Sequence, residues 1–556
     1  MNWLKDEFQK TTSGEKRMKI LTLSPLSISH TMQFFNTTKY MVNKSRYLRK
    51  EYGILPEIPK VSKGKILTGD IIAEVENFYQ CDDVSRICPG KSDFLSVRDK
   101  DGNKIHMQKR LLLGNLKELY ELYKEETRGT PKVSFSSFAS LQPKHCVIAG
   151  ASGTHSICIC TYHQNPKLMI SAIGHKDVTI YNLLAKCVCN VNVAQCMLQQ
   201  CRKCPGVNGV SEFLRLELEG DNREYITFNQ WTQTDRSTLE TMSLSIDEYI
   251  DKLSNKIRIL TKHHFIAKRQ GKYLKGLKET INESEGIIIG DFSENYSFVV
   301  QDASQAFHWT NNQATIHPFL FYYKSNNILS HKTYCFISDC MEHKTSLVYT
   351  FQTSLITDLK KNLPTLKKIH YFTDGSIAQY KNKYNFINLC HHAADFDEIV
   401  PEWNFFATSH GKNVCDGIGG MVKRAASKAS LQRISSQYIL TAQDLFTFAE
   451  GTFPTIKFYY VSKENFKNKE QFLQERFQRA STVKGTHGFH KVKPLSNNTI
   501  LAFQTSESNT FQTFTFCEGT EREGTAKVIR VDEQTSSSGI ENIIGEYVAC
   551  LYNNKV

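Results

Sequence analysis

The stretch HYFTDGSIAQYKNKYNF, His370 to Phe386, sets an aspartate and a glycine directly behind a short apolar run and follows them with lysines and tyrosines. The preceding LKKIHYF reads as a β-strand, and YNFINLCHHAADF just beyond has the spacing of a helix. Asp374 therefore stands at the carboxyl end of a strand that leads into a helix. An Asp-Gly turn explains that acid if it stands alone. The neighbouring elements decide whether it does more.

Upstream, GIIIGDFSENYSFVVQDASQAFHW places the apolar run Ile287 to Ile289 just ahead of Asp291. Two further strands follow, ATIHPFLFYYK and KTYCFISDC, and then a helical pattern, HKTSLVYTFQTSLITDLKKNLP, which Pro364 helps to stop. Downstream, the strand EWNFFATSH passes through a glycine-punctuated turn into GIGGMVKRAASKA, with Asp416 at its start. Three strands, a helix, a strand, a helix, a strand and a helix is the element order of a ribonuclease-H-like fold. The expected class is α/β, with such a mixed sheet core over residues 283–430.

In that order two acids end adjacent central strands and a third heads a later helix, so all three meet at one edge of the sheet. Asp291 and Asp374 are 83 positions apart, and Asp374 and Asp416 are 42 apart, which leaves room for the intervening elements. Hard carboxylate oxygens suit Mg²⁺ or Mn²⁺, and two such ions about 4 Å apart activate an attacking oxygen and stabilise a leaving one in phosphodiester transfer. Each acid also has a plain reading, as a turn, a loop residue or a helix cap. Their joint placement favours the metal site.

A second chemistry lies further upstream. THSICICTYHQN presents His155, Cys158, Cys160 and His163, and CVCNVNVAQCMLQQCRKCPG adds Cys187, Cys189, Cys196, Cys201 and Cys204. Zinc takes four soft or borderline ligands, and short Cys-x-x-Cys turns let them converge. Buried cysteines are common core residues, but so many within fifty positions predict one or two structural Zn²⁺ ions in a small module over residues 145–210. Spacing leaves the pairing of ligands open.

The 556 residues carry 69 Lys and Arg against 56 Asp and Glu, a net charge of +13, with 11% aromatic residues, a balance suited to a polyanion. No apolar run is long enough to span a bilayer, and Lys5, Asp6, Glu7 and Lys10 occupy the place of a signal peptide's apolar core. The expectation is a soluble intracellular protein whose 16 cysteines belong to a reducing compartment.

Residues 1–64 show no clear period and read as a loosely ordered arm. Residues 65–144 read as helical, with helices beginning after Thr68, across MQKRLLLGNLKELYELYKEE, and at Ser134. With Lys91, Arg98, Lys109, Arg110 and Lys132 on their surface they permit a helix-turn-helix reading, beside the plainer one of a helical bundle. Residues 211–282 read as a mixed, mainly β segment (SEFLRLELEG, EYITFNQW) and then a long helix, basic between His263 and Lys278, which is either DNA-facing or simply solvated. Residues 431–556 read as a C-terminal α+β region, and IGEYVACLYNNKV at its end reads like the first strand of a barrel cut short.

The strings DFSENYSF, ISDCMEHK, FTDGSIAQYKNKYNF and WNFFATSHGKNVCDGIGGMVKR resemble a group of transposon-derived animal proteins whose core is similar to DDE/D transposases. The resemblance extends upstream through THSICICTYHQN, CRKCPG and HHFIAKRQGKYLK, and covers roughly residues 65 to 490. It implies Asp291, Asp374 and Asp416 as the three catalytic acids, although the family often has Glu in the third place. His410 is then expected to orient a water or meet a phosphate. Lys381, Lys383, Lys412, Lys423 and Arg424 are expected to hold DNA backbone, helped by Gln379 and Tyr380, with His308 and Trp309 lining the cleft. The implied protein is a nuclear, metal-dependent DNA strand-transfer or nuclease protein acting on double-stranded DNA, as a homodimer or higher oligomer and without a membrane. A catalytically silent DNA-binding regulator and a zinc-containing interaction scaffold are the alternatives.

Overall fold

Three consecutive isoleucines need apolar neighbours on both faces of their strand, and the sheet provides them. The computed structural model describes residues 1–57, 67–81, 84–88, 94–98, 102–112, 114–127, 132–148, 160–175, 177–233, 235, 237–301, 303–304, 306–307, 311–411, 414–432, 438–516 and 527–529. Two compact units divide the chain, Met1–Glu74 and Val75–Val556.

The first unit corrects the expectation of a loosely ordered arm. Its described residues form α1 (Asn2–Lys10), α2 (Gly14–Thr22), α3 (Ile28–Phe35), α4 (Lys39–Tyr52) and the start of a helix at Gly69. The first three run for only eight or nine residues, too few for an apolar period to stand out in the sequence. Phe8, Leu21 and Phe35, one from each, make the small core that the single segments do not reveal.

Helix α5 (Gly69–Tyr79), whose first residues belong to the first unit, and α7 (Phe135–Ser140) start where expected, Ser134 capping α7 by accepting the Ser137 N–H, whereas α6 (Leu116–Glu126) starts nine residues beyond Met107. Strands separate them: β1 (Ser85–Ile87), β2 (Phe94–Arg98), β3 (Lys104–Gln108), β4 (Arg110–Leu112) and, after α7, β5 (Cys146–Ile148). MQKRLL, residues 107–112, therefore extends instead of coiling. Strand β4 pairs with both β1 and β5, and the buried Arg110 side chain donates to the Ser85 hydroxyl at 2.8 Å. Sheet pairing overrides helical propensity there, and no tight helix-turn-helix forms among the described residues of 65–144. Arg98 and Lys132 are exposed, whereas Lys91 lies outside the described residues.

Next come α8 (Thr161–Ile173), α9 (Ile180–Cys187), α10 (Ala194–Met197), α11 (Gly206–Glu217), the hairpin β6 (Tyr225–Gln233) and β7 (Ser237–Ser245), and α12 (Ile246–Thr280). SEFLRLE, residues 211–217, is helical, against the β expectation. Val210, Leu214 and Leu218 recur at helical spacing toward the core, while Leu216, 65% exposed, faces away. The 35-residue α12 opens with a capping box between Ser245 and Glu248.

The main sheet follows as β8 (Glu285–Gly290), β9 (Tyr296–Ser297), β10 (Gln313–Ser325), β11 (Ile328–Ser338), α13 (Thr345–Asn362), β12 (Lys368–Thr373), α14 (Lys383–Asp395), β13 (Val400–Phe405) and α15 (Val414–Gln432). Beyond them lie α16 (Ala442–Thr452), β14 (Ile456–Val461), α17 (Lys463–Gln478), β15 (Lys491–Ser496), β16 (Thr499–Phe503), β17 (Phe511–Thr515) and β18 (Lys527–Ile529). The segment IGEYVACLYNNKV lies outside the described residues.

The central five strands lie in the order β11-β10-β8-β12-β13, which is third, second, first, fourth, fifth along the chain. The first three are antiparallel, and β12 and β13 run parallel to β8. Asn326 and Asn327, both at positive φ, make the two-residue turn of the β10–β11 hairpin. Strand β14 extends the sheet on one side, and β15 to β18 extend it on the other.

Alternation along the strands feeds two helical layers. Ile288, Phe319, Phe321, Phe336 and Tyr371 pack with α13 and α14, while Ile287, Ile289, Leu320 and Phe372 pack under the carboxyl half of α12. Helices α15 and α16 cover the same side further along, against Ile316, Cys335, Ile337 and Phe458. Phe336 is wholly buried in β11, between Phe351 of α13 and Tyr459 of β14. Phe336→Ala is expected to cost about 3–5 kcal/mol of unfolding free energy, read from urea denaturation followed by circular dichroism.

Candidate functional site: an acidic sheet edge beside two Cys/His groups

The parallel register of β8 and β12 fixes the first two acids. Ile289 pairs with Phe372, so Asp291 and Asp374, each two residues further on, leave the sheet side by side at its carboxyl edge. Asp416 lies in the first turn of α15, where a carboxylate also favours the helix N-terminus. Burial pushes the Asp291 carboxyl up to about 8, and the nearby charges of Asp374 and Asp416 add to the rise. Asp374 is likewise raised, by burial and then by Asp416, against the opposing Ser376 N–H, which its carboxylate accepts at 3.0 Å. The turn and the acid cluster therefore coexist at Asp374.

Two glycines let the backbone close around these acids. A Cβ on Gly419 of α15 would collide with the Ser293 side chain, so only glycine lets that helix approach the loop that carries Asp291. A Cβ on Gly411 would stand 3.0 Å from the Asp374 Cβ. On the other side of the cluster the buried Tyr380 hydroxyl meets His317 Nε2 at 2.8 Å, and burial together with Asp291 and Asp374 holds that phenol protonated.

The basic residues divide. Lys381 is only 5% exposed, with its ammonium over the Phe405 ring, and burial lowers it to about 8. It is a wall of the site and no surface contact for DNA backbone. Lys383 is half-buried against the Tyr384 ring, Lys423 pairs with Glu294, and Arg424 is exposed. Lys412, His308 and Trp309 lie outside the described residues.

The cysteines and histidines form two groups that could hold a metal ion such as zinc, with the ligand atoms of each mutually within 4.8 Å. The first is Cys189, Cys196, Cys201 and Cys204, all four expected. They come from the end of α9, from α10 and from the CRKCPG turn ahead of α11. The Cys189 N–H points at the Cys204 sulfur at 3.4 Å. The Lys203 N–H lowers Cys201, while the Cys204 thiol raises Cys189, so one thiolate is favoured at its neighbours' expense. Cys187 is a core residue under α12 instead.

The second group is Cys160, His163, His263 and His410. Cys160 caps α8, His163 sits in its first turn, His263 comes from α12, and His410 follows β13. Cys160 Sγ lies 3.2 Å from His263 Nε2, and the ring of His410 stands 5.1 Å from that of His163. His163 Nε2 meets His264 Nδ1 at 3.2 Å, while its Nδ1 is buried and has no protein partner. Burial, with the surrounding imidazoles, holds His163 neutral, as metal binding requires.

His410 thus stands with Cys160, His163 and His263 in a group that could hold a metal. His155 and Cys158 lie outside the described residues. His263 was missed as a ligand, and its only signal was a His-His pair at the start of a basic helical stretch. With four protein ligands each, both groups suit structural and not catalytic metal. The three acids are not such a tight set.

Three family models match the chain, each described as a domain of unknown function: DUF8699 over residues 66–150, DUF8700 over 161–261 and DUF8701 over 270–506. The third contains Asp291, Asp374, His410 and Asp416. No curated protein and no solved structure matches.

Two outcomes are expected. Purified protein should carry two zinc ions per chain by elemental analysis, and His263→Ala and Cys201→Ala should each remove one, from separate groups. Raised acids also make stability depend on pH. The folded chain keeps protons that the unfolded chain has released, so this stability is full below about 4 and is lost as pH rises through about 8. Asp291→Asn should flatten that loss, seen as urea midpoints without divalent cations.

Proposed function

We propose that this is a transposase-like DNA-binding protein whose core performs metal-dependent phosphodiester cleavage or strand transfer, or is a descendant of one. The observation that carries the reading is the side-by-side exit of Asp291 and Asp374 from paired parallel strands, with Asp416 heading the helix against them. The strand order third, second, first, fourth, fifth, with three antiparallel strands and two parallel to the first, supports a ribonuclease-H-like assignment.

Mg²⁺ or Mn²⁺ suits this edge because its ligands are carboxylates and because crowded, buried acids raise one another until a cation relieves them. Bound there, such ions would activate the attacking oxygen and stabilise the leaving one. The chain's own part is to hold the three acids on rigid elements. Gly411 and Gly419 permit the close approach, and Tyr380 with His317 braces the loop after Asp374. Lys383, Lys423 and Arg424 remain as contacts for the backbone of double-stranded DNA. Nuclear location and paired subunits follow from that substrate and from the family resemblance.

Two observations favour a second reading, a DNA-binding descendant without cleavage. Asp416 is exposed, and the acids form a looser set than the Cys/His groups. The deciding experiment is cleavage and strand transfer on duplex DNA with Mg²⁺ and Mn²⁺, comparing the natural chain with Asp374→Asn. A loss of about a hundredfold or more is expected, the scale of removing one preorganised electrostatic group. Equal rates in the two proteins would remove Asp374 from the chemistry, and no cleavage by either alongside intact DNA binding would leave the second reading.

A further inference from the structure

We infer that the Met1–Glu74 unit is a helix-turn-helix module that reads duplex DNA with α4 in the major groove. The inference rests on the DNA-binding part of the reading above and is independent of cleavage. Helix α3 ends at Asn36, whose left-handed backbone (φ 47°, ψ 60°) turns the chain. Two residues later Thr38 caps α4, its hydroxyl accepting the Met41 N–H. Two short helices joined by so tight a turn are the supersecondary unit that sets its second helix against the major groove.

The two sides of α4 differ in chemistry. Val42, Ser45 and Leu48 are buried. Arg46 and Arg49 turn back and donate to the Leu26 and Ser24 carbonyls ahead of α3, which locks the two helices together. Lys39, Tyr40, Asn43, Lys44, Tyr47 and Lys50 are all exposed, at the spacing of one helical face. Tyr40 is 72% and Tyr47 52% exposed, and the Lys44 ammonium lies 5.2 Å from the Tyr47 ring centre. Lys39, Lys44 and Lys50 meet no acid among the described residues.

Charge selects the partner. Residues 1–52 hold ten Lys and Arg against four Asp and Glu, a net of +6 out of the chain's +13 in under a tenth of its length. A plain solvated helix explains lysines, but it gives no reason for two large aromatic rings beside them. An α-helix fits the major groove, where lysine and tyrosine reach phosphates and an asparagine such as Asn43 can meet base edges.

The test uses the full-length protein and fluorescence anisotropy on mixed-sequence duplex DNA, with the same-sequence single strand and a duplex RNA as competitors. Lys44→Ala, Tyr47→Ala and Lys50→Ala are each expected to weaken duplex binding by roughly tenfold, and the lysine variants to flatten the salt dependence. Lys44→Arg should restore affinity, and circular dichroism should show the fold unchanged in all. Duplex affinity equal to the natural chain's in the three alanine variants would overturn the inference, as would stronger competition by single strand or RNA. Asp374→Asn should bind duplex normally, so a failure of the cleavage reading and a failure of this one leave different marks.

Discussion

One helix sets the geometry on which both chemical centres depend. The amino half of α12 supplies Tyr249, Ile250, Leu253 and Ile257 to the core beneath the four-cysteine group, and its carboxyl half covers Ile287, Ile289 and Phe372 of the sheet. Between these halves the buried Gln270 amide donates to the carbonyls of Phe405 and His490, and its oxygen accepts the Ser506 N–H. A buried amide with its donors and acceptor satisfied tolerates little displacement. The basic residues of α12 are therefore the outer face of a structural spine.

The same helix links metal to acid. His263 reaches from it to His410, and the residue after His410 is Gly411, held against the Cβ of Asp374. An ion bound by Cys160, His163, His263 and His410 would fasten α8 and α12 to the segment that brings Gly411 against Asp374.

Much of this was legible in the sequence because it is local. An isoleucine run followed by an acid, a Cys-x-x-Cys turn with two cysteines just upstream, and helices long enough to show their period all declare themselves within twenty residues. What was missed depends on tertiary contact. His263 lies 103 positions from Cys160, so no spacing rule joins them. Lys381 is a residue type of the surface, and only its packing in the fold, with its ammonium over the Phe405 ring, removes it from solvent. MQKRLL carries a helical period that strand pairing, of β4 with β1 and β5, overrides, and α1 to α3 are too short to be seen until Phe8, Leu21 and Phe35 meet.

The sheet itself sets an acid neutralised by the fold's own cations beside acids that crowd one another. Glu402 on β13 is buried, yet it faces His370 at 2.9 Å and the ammonium groups of Lys368 and Lys491 at 3.6 Å each, and these partners hold its carboxyl well below the usual range. Asp291, on a neighbouring part of the same sheet, is raised first by burial and then by the charges of Asp374 and Asp416, and so moves in the opposite direction. A fold that can neutralise Glu402 with its own cations could have done the same for Asp291. That it gathers Asp374 and Asp416 there instead, at the cost of raised carboxyl groups, is the physical argument for a divalent ion from solution at that edge.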